Sequence, residues 1–202
     1  DITFKEILEN VAGYNKPVLL ATGASTIDEV IAAVELCTSI NPEICLMQCN
    51  TNYTGSLDNF RYVNLNVLKT FSTLYPNMPL GFSDHTPGHS AVLGAVALGA
   101  KIIEKHFTDD NSRIGPDHHF ALNPSTWKEM VDRSIELQLS LGDGIKRIEI
   151  NEKDTVIIQR RAIRAKNKIN LGDNISNENI EFLRPCPVEA LTPMSVDMIL
   201  SK

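Results

Sequence analysis

Positive charge is in short supply in this sequence. Its 202 residues carry 19 Lys and Arg against 25 Asp and Glu, a formal charge of −6. That excludes an extended nucleic-acid surface, since phosphate backbones demand clustered cations. A small anionic substrate stays open, because a metal ion and a few local cations can reverse the field inside a cleft. Long apolar runs are also missing, so no membrane span is expected. The start, Asp1-Ile2-Thr3, has none of the basic, apolar and small-residue regions of a signal peptide and no initiator Met, so a chain beginning inside a longer protein is expected. The four cysteines, Cys37, Cys45, Cys49 and Cys186, show no metal-ligand spacing. Three lie in apolar runs, the pattern of buried thiols in a reducing cytoplasm rather than of a disulfide framework. No G-x-G-x-x-G follows an apolar run, which removes the dinucleotide-binding fingerprint.

What is present is a regular alternation over the first 145 residues. Short continuous apolar runs at Pro17–Ala21, Ile44–Cys49, Leu80–Asp84 and Lys101–His106 read as strands covered on both faces. Between them lie helical patterns: Thr3–Asn10 with a Thr3-x-x-Glu6 capping box, a second helix capped by Thr26-x-x-Glu29, and a third over about 58–74 carrying Phe60, Val63, Val67, Leu68 and Phe71. A fourth, over about 88–98, is apolar nearly all round and is expected to be tightly enclosed. The last opens at Asn123-Pro124, is expected to bury Trp127, Met130, Val131 and Ile135, and stops at Gly142-Asp143-Gly144. Four parallel strands joined by helices predict an α/β fold. Polar residues crowd the C-terminal end of every strand, where a (β/α)₈ barrel gathers its active-site loops. Four strands cannot close such a barrel, so an exposed apolar sheet edge and inner face are expected. Residues 146–157 read as a charged linker. From 158 to 202 the texture is of a small β-rich domain, with a strand at Arg160–Ala165, two extended pieces about a turn over 169–176, and another ending at Leu183-Arg184-Pro185.

Two histidines stand where adjacent strands end, in Ser83-Asp84-His85-Thr86 and Glu104-Lys105-His106-Phe107. Neighbouring strands lie roughly 4.8 Å apart, so the two rings can converge on one divalent cation with positions left for water and substrate. A hydrogen-bonded pair lining a polar pocket fits the same residues. Asp84 and Glu104 are candidates for carboxylates that orient the rings, or one of them turns toward the barrel core or pairs with Lys105, and His89, one turn beyond His85, is a weaker candidate ligand. Cys49-Asn50-Thr51-Asn52-Tyr53-Thr54 is dense in the hydroxyls and amides that a polyhydroxylated ligand needs, or that a helix cap and turn need. Thr22-Gly23-Ala24-Ser25-Thr26 leads into a helix N-terminus, a natural phosphate seat. The charged loop Thr108–Asp117 is long enough to be a lid, and His118 and His119 beyond it read as exposed.

Taken together, Ser83-Asp84-His85-Thr86, Gly94–Ala100, Glu104–Asp109, Gly115-Pro116-Asp117-His118 and Arg160-Arg161 resemble the sialic acid synthase family, which includes legionaminate and pseudaminate synthases. The resemblance covers essentially the whole chain. It implies the C-terminal half of a (β/α)₈ TIM barrel followed by the start of a small antifreeze-like (SAF) domain. The implied reaction joins phosphoenolpyruvate to an N-acylated amino sugar such as N-acetylmannosamine, with a divalent metal, Mn2+ or Mg2+, and release of phosphate by C–O cleavage. His85 and His106 match the family's metal ligands, and Asp117 a carboxylate near the metal and its waters. Ser83, with Ser25 or Thr26, would face phosphate. Tyr53, with Thr51 or Asn52, would contact the sugar, and Asp1 and Lys105 join the expected substrate contacts. Many members read Cys-Thr-Asn-x-Tyr where this chain reads Cys49-Asn50-Thr51-Asn52-Tyr53. The family's phosphoenolpyruvate-binding lysines and N-terminal glutamate have no counterpart, so an inactive fragment of a domain-swapped homodimer is expected. A non-catalytic sugar-binding half-barrel and another phosphoenolpyruvate-dependent aldol synthase are the alternatives.

Overall fold

Burial on both faces decides the centre of the fold. In the computed structural model, which describes residues 1–200, β2 (Ile44–Cys49) and β3 (Leu80–Asp84) are buried at every residue. They are flanked by β1 (Val18–Ala21) and β4 (Ile102–Lys105) in a parallel sheet of order β1-β2-β3-β4. The sheet is of the curled half-barrel type. Leu20, Leu46, Leu80, Phe82 and Ile103 turn toward the helices and build one core with Val30, Val34, Leu68 and Phe71. The opposite parity, Cys45, Met47, Cys49, Gly81 and Ser83, faces inward. Gly81 has a packing reason: a Cβ there would lie 2.7 Å from Met47 Cγ.

The helices are α1 (Lys5–Ala12), α2 (Ile27–Ile40), α3 (Val67–Leu74), α4 (Ser90–Ala97) and α5 (Pro124–Leu141). Thr26 caps α2 with the expected reciprocal bonds to Glu29, and Asn123 caps α5 ahead of Pro124. Four expectations are corrected. Thr3 does not cap α1; its amide and hydroxyl both donate to Asp1 Oδ1, at 3.0 and 2.7 Å, and Phe4 takes the cap position. The helix expected over 58–74 is a 3-10 turn, Leu57–Arg61, and a separate α3, because Asn64 adopts a left-handed backbone (φ 49°) that breaks the helical path. Of the α5 stripe only Met130 is buried; Val131 and Ile135 are exposed on a groove they line with Val92, Val96 and Trp127. Enclosure of α4 is partial: Ala91, Val92 and Ala95 are buried while Ala97 is exposed.

Residues Asp1–Asp143 form one compact unit and a second begins at Gly144. In the second, a 3-10 turn (Ile150–Glu152) runs into α6 (Lys153–Gln159), so the segment read as a linker is partly helical. β5 (Ala162–Ala165) and β6 (Ile180–Leu183) pair antiparallel, and α7 (Val196–Leu200) follows. The turn expected within 169–176 is present at Leu171-Gly172, but neither flank forms a strand. The Asn170 backbone and side-chain amides donate to Asp173 Oδ2, and Gly172 takes φ 92°, so side-chain bonds stand where a strand ladder was expected. Among the described residues no helix is long and apolar enough to cross a membrane.

Candidate active site

Strand parity carries both histidines to the inner face. His85 directly follows β3 and His106 directly follows β4, and Asp84 and Lys105 just before them are Cα partners in the register. The imidazoles meet with centroids 5.1 Å apart. His85 Nδ1 lies 2.8 Å from the main-chain oxygen of Asn50. A carbonyl only accepts, so Nδ1 carries the proton and the lone pair of neutral His85 sits on Nε2. Burial, opposed in part by that bond, holds the His85 pKa below its ordinary value of 6.5 and favours the neutral ring. Asp117 Oδ2 stands 3.4 Å from His106 Nδ1. Asp117 itself has φ 71°, a left-handed conformation that costs a non-glycine residue about 1–2 kcal/mol, and strain of this kind concentrates at functional sites.

Two loops wall this pair. Tyr53, from the loop after β2, packs at an angle against both rings, with centroids 4.2 Å from His85 and 5.5 Å from His106. Phe120, from the excursion after β4, flanks His106 at 5.3 Å. The excursion is closed at its base by a parallel bridge between Phe107 and Leu122. Inside it, Asn111 Nδ2 donates to the carbonyls of His118 and Ala121. His118 Nδ1 bonds the Thr108 hydroxyl at 2.8 Å, so His118 is an internal tie and not the exposed residue expected. His119 is exposed, with Nε2 3.3 Å from the Thr54 carbonyl across the gap between the two loops. Gly55 makes that approach possible, since a Cβ there would lie 2.7 Å from Phe120 Cβ.

The donor set fits a divalent cation bound by two imidazoles. His85 offers Nε2, its other nitrogen being engaged, which is the arrangement metal-ligating histidines show. Among the described residues no three His, Cys, Asp or Glu side chains converge on one ion position, so water or substrate would complete the shell. Cys49 Sγ, 3.9 Å from His85 Nδ1, is a buried thiol whose pKa burial raises.

The chain matches the NeuB family over residues 1–146. It belongs to that family, the sialic acid synthases. An uncharacterised protein of Methanocaldococcus jannaschii is 41% identical over 186 residues, 92% of this chain and 54% of that protein. The N,N'-diacetyllegionaminic acid synthase of Campylobacter jejuni is 34% identical over 205 residues, 100% of this chain and 60% of that protein. The crystal structure of an N-acetylneuraminic acid synthetase from Leptospira borgpetersenii superposes with a TM-score of 0.69 at 29% identity, over 77% of this chain and 53% of that one. The chain thus spans between about half and three-fifths of the length of these relatives.

In this NeuB-family chain the remaining candidates fall into two groups. Ser83 is buried on the inner face, paired in register with Cys49 and Glu104. Thr51 is exposed beside Gly23, where a Cβ would lie 2.3 Å from Thr51 Cγ2, so the loops after β1 and β2 touch. Asn52 Oδ1 accepts from Thr54 N and Oγ1 and from Asn59 Nδ2, which shapes the Tyr53 loop. The others are engaged elsewhere. Thr26 caps α2, and Glu29 Oε2 accepts from its amide at 2.7 Å, placing a carboxylate at the helix N-terminus expected to hold phosphate. Ser25 Oγ donates to the Gly23 carbonyl, and Asp1 accepts from Thr3. Lys105 does not join the cluster: its buried ammonium lies 2.6 Å from Asp84 Oδ2 on the helix-facing side of the sheet. Asp84 is therefore the lysine's partner and not the group that fixes a histidine tautomer. Two contributors were not among the candidates. Phe120 carried only its place two residues after His118 as a signal, and the Asn50 carbonyl, being main chain, carried none.

Proposed function

We propose that this chain supplies the metal-binding half of a nonulosonic acid synthase. The substrates in this reading are phosphoenolpyruvate and an N-acylated amino sugar, N-acetylmannosamine or a diacetamido relative. C3 of phosphoenolpyruvate forms the new C–C bond with the sugar aldehyde carbon, water adds at C2, and phosphate leaves with cleavage of its C–O bond. A Mn2+ or Mg2+ ion held by His85 Nε2 and His106 would act as a Lewis acid toward the aldehyde oxygen. Tyr53, packed against both imidazoles, would orient the sugar and keep bulk water from that side. Asp117 would hold His106 and accept protons from nearby water. Ser83, on the inner face one residue before Asp84, would meet the phosphate side. The domain from Gly144 reads as the beginning of the antifreeze-like domain, the full protein as a domain-swapped homodimer, and the four free cysteines as suited to the cytoplasm.

The observation that carries this reading is the fixed tautomer of His85 beside His106, in a chain of this family. The single cation among the candidate residues, Lys105, is engaged by Asp84. The 202-residue chain alone is therefore expected to bind an ion without releasing phosphate from phosphoenolpyruvate. Calorimetric titration with Mn2+ should show binding by the chain and none by a His85→Ala, His106→Ala variant. Equal binding by both would sink the metal site. Amino-sugar-dependent phosphate release by the chain alone would refute its inactivity, and sugar binding without turnover by the full-length gene product would favour a binding module.

A further inference from the structure

Lys105 stands one residue before His106, and Asp84 one residue before His85. The two are direct cross-strand partners in the register of β3 and β4. Their side chains are 2% and 0% exposed, and strand alternation puts them on the face of Phe82 and Ile103, with the histidines on the opposite face. Asp84 Oδ1 also accepts the amide of Thr86 at 2.9 Å and its hydroxyl at 2.8 Å, closing a turn around His85. The Lys105 ammonium donates to the carbonyl of Thr86 as well as to Asp84 Oδ2. One buried cation thus holds the residues on both sides of His85, while its own main chain leads straight into His106.

A buried ion pair is a poor device for stability. Desolvation of two charges offsets their attraction, and replacement by neutral groups of similar volume is often neutral or stabilising. It is a good device for geometry, since each partner has several directed bonds that only one arrangement satisfies. We infer that Asp84 and Lys105 are positioning residues, whose ion pair on one face of the sheet sets the direction and spacing of His85 and His106 on the other. Without the two charges the turn at 84–86 loses both bonds that Lys105 donates, to Asp84 Oδ2 and to the Thr86 carbonyl. The His85 ring is then free to leave the Asn50 carbonyl.

The metal role of the histidines belongs to the proposed function, but the geometric claim stands apart from it, and one experiment separates them. Histidine side-chain ¹H–¹⁵N correlation spectra and Mn2+ titrations would be recorded on the chain and on Asp84→Asn, Lys105→Met, with Asp84→Asn, Lys105→Gln as a more conservative variant that also removes both charges together. The chain is expected to show His85 as one neutral tautomer with the proton on Nδ1. The Asp84→Asn, Lys105→Met variant should still unfold cooperatively, with its Tm lowered at most modestly by the donor that the Thr86 carbonyl loses. In it the His85 signal becomes a mixture of tautomers, and Mn2+ affinity falls about 10- to 100-fold. Retention of the single Nδ1–H tautomer with unchanged Mn2+ affinity would overturn the inference, leaving the pair as mere filling. Loss of folding in both variants would overturn it too, since the pair would then be a folding element. A tautomer mixture in the variant, with no Mn2+ binding by either protein, would uphold the positioning role and remove the metal.

Discussion

Residues Asp1–Asp143 and the unit that begins at Gly144 are held together in different ways. In the first, a sheet is covered by helices, and Leu46, Met47, Leu68, Phe71 and Phe82 are all but inaccessible. In the second, the buried apolar side chains among the described residues are Ala162, Ile180 and Cys186. Its two-stranded ribbon is tied instead by arginines that donate to main-chain carbonyls: Arg161 to Phe182, Arg164 to Pro185 and Arg184 to Gln159. A two-stranded ribbon alone is marginal in water, and each such bond contributes about 1 kcal/mol net. One unit is stabilised by area removed from water and the other by a few directed bonds, so they should respond differently to the same kind of damage.

The largest effect should come from Phe82→Ala, which opens a cavity in the first core and costs about 3–5 kcal/mol. Trp127, the one tryptophan of the chain, lies in α5 and reports that unit alone. Denaturant titration of its fluorescence should shift markedly while amide exchange beyond Gly144 keeps its rate; matching acceleration in both units would break the comparison. Ile180→Ala should cost the second unit about 2 kcal/mol, the low end for an Ile truncation because the surrounding groups can collapse. Exchange at β5 and β6 should quicken with the Trp127 midpoint unmoved. The smallest effect should be that of Thr26→Ala, about 0.5–2 kcal/mol for a lost cap. Its pH dependence has a definite sign. The amide and hydroxyl of Thr26 hold the Glu29 pKa below its ordinary value of 4.5. That contribution is complete above pH 4.5 and is lost as pH falls through the lower folded-state value. The variant keeps the amide bond to Glu29 and loses only that of the hydroxyl, so the stability curves of wild type and variant should draw together in acid by the hydroxyl's share; parallel curves would mean that the hydroxyl–carboxylate bond adds nothing to the cap.

The same contrast separates what could be read from the sequence from what could not. Runs such as Ile44–Cys49 announce strands because burial on both faces demands unbroken apolar residues, and all four strands lie where those runs are. The break in α3 was hidden because Val63, Val67 and Phe71 keep helical spacing through it, and only the backbone of Asn64 leaves the path. Beyond Gly144 the strands expected within Arg160–Ala165 and ending at Leu183 are present as β5 and β6, whereas α6 is a short helix that no periodicity marked. At the site, His85 and His106 were legible from their places at strand ends. Lys105 was misplaced by a single residue of parity: it shares the face of Ile103, not that of Glu104 and His106. That signal was in the sequence. The bond that orients His85 was not.

The hold on His85 comes from a peptide carbonyl, and every amino acid brings the same carbonyl. The side chain at position 50 can therefore drift without erasing the imidazole's proton placement, as long as the loop keeps its path. Where relatives of this family spell the stretch after the cysteine differently, the chemistry at the histidine can be inherited through the shape of the chain while the letters change.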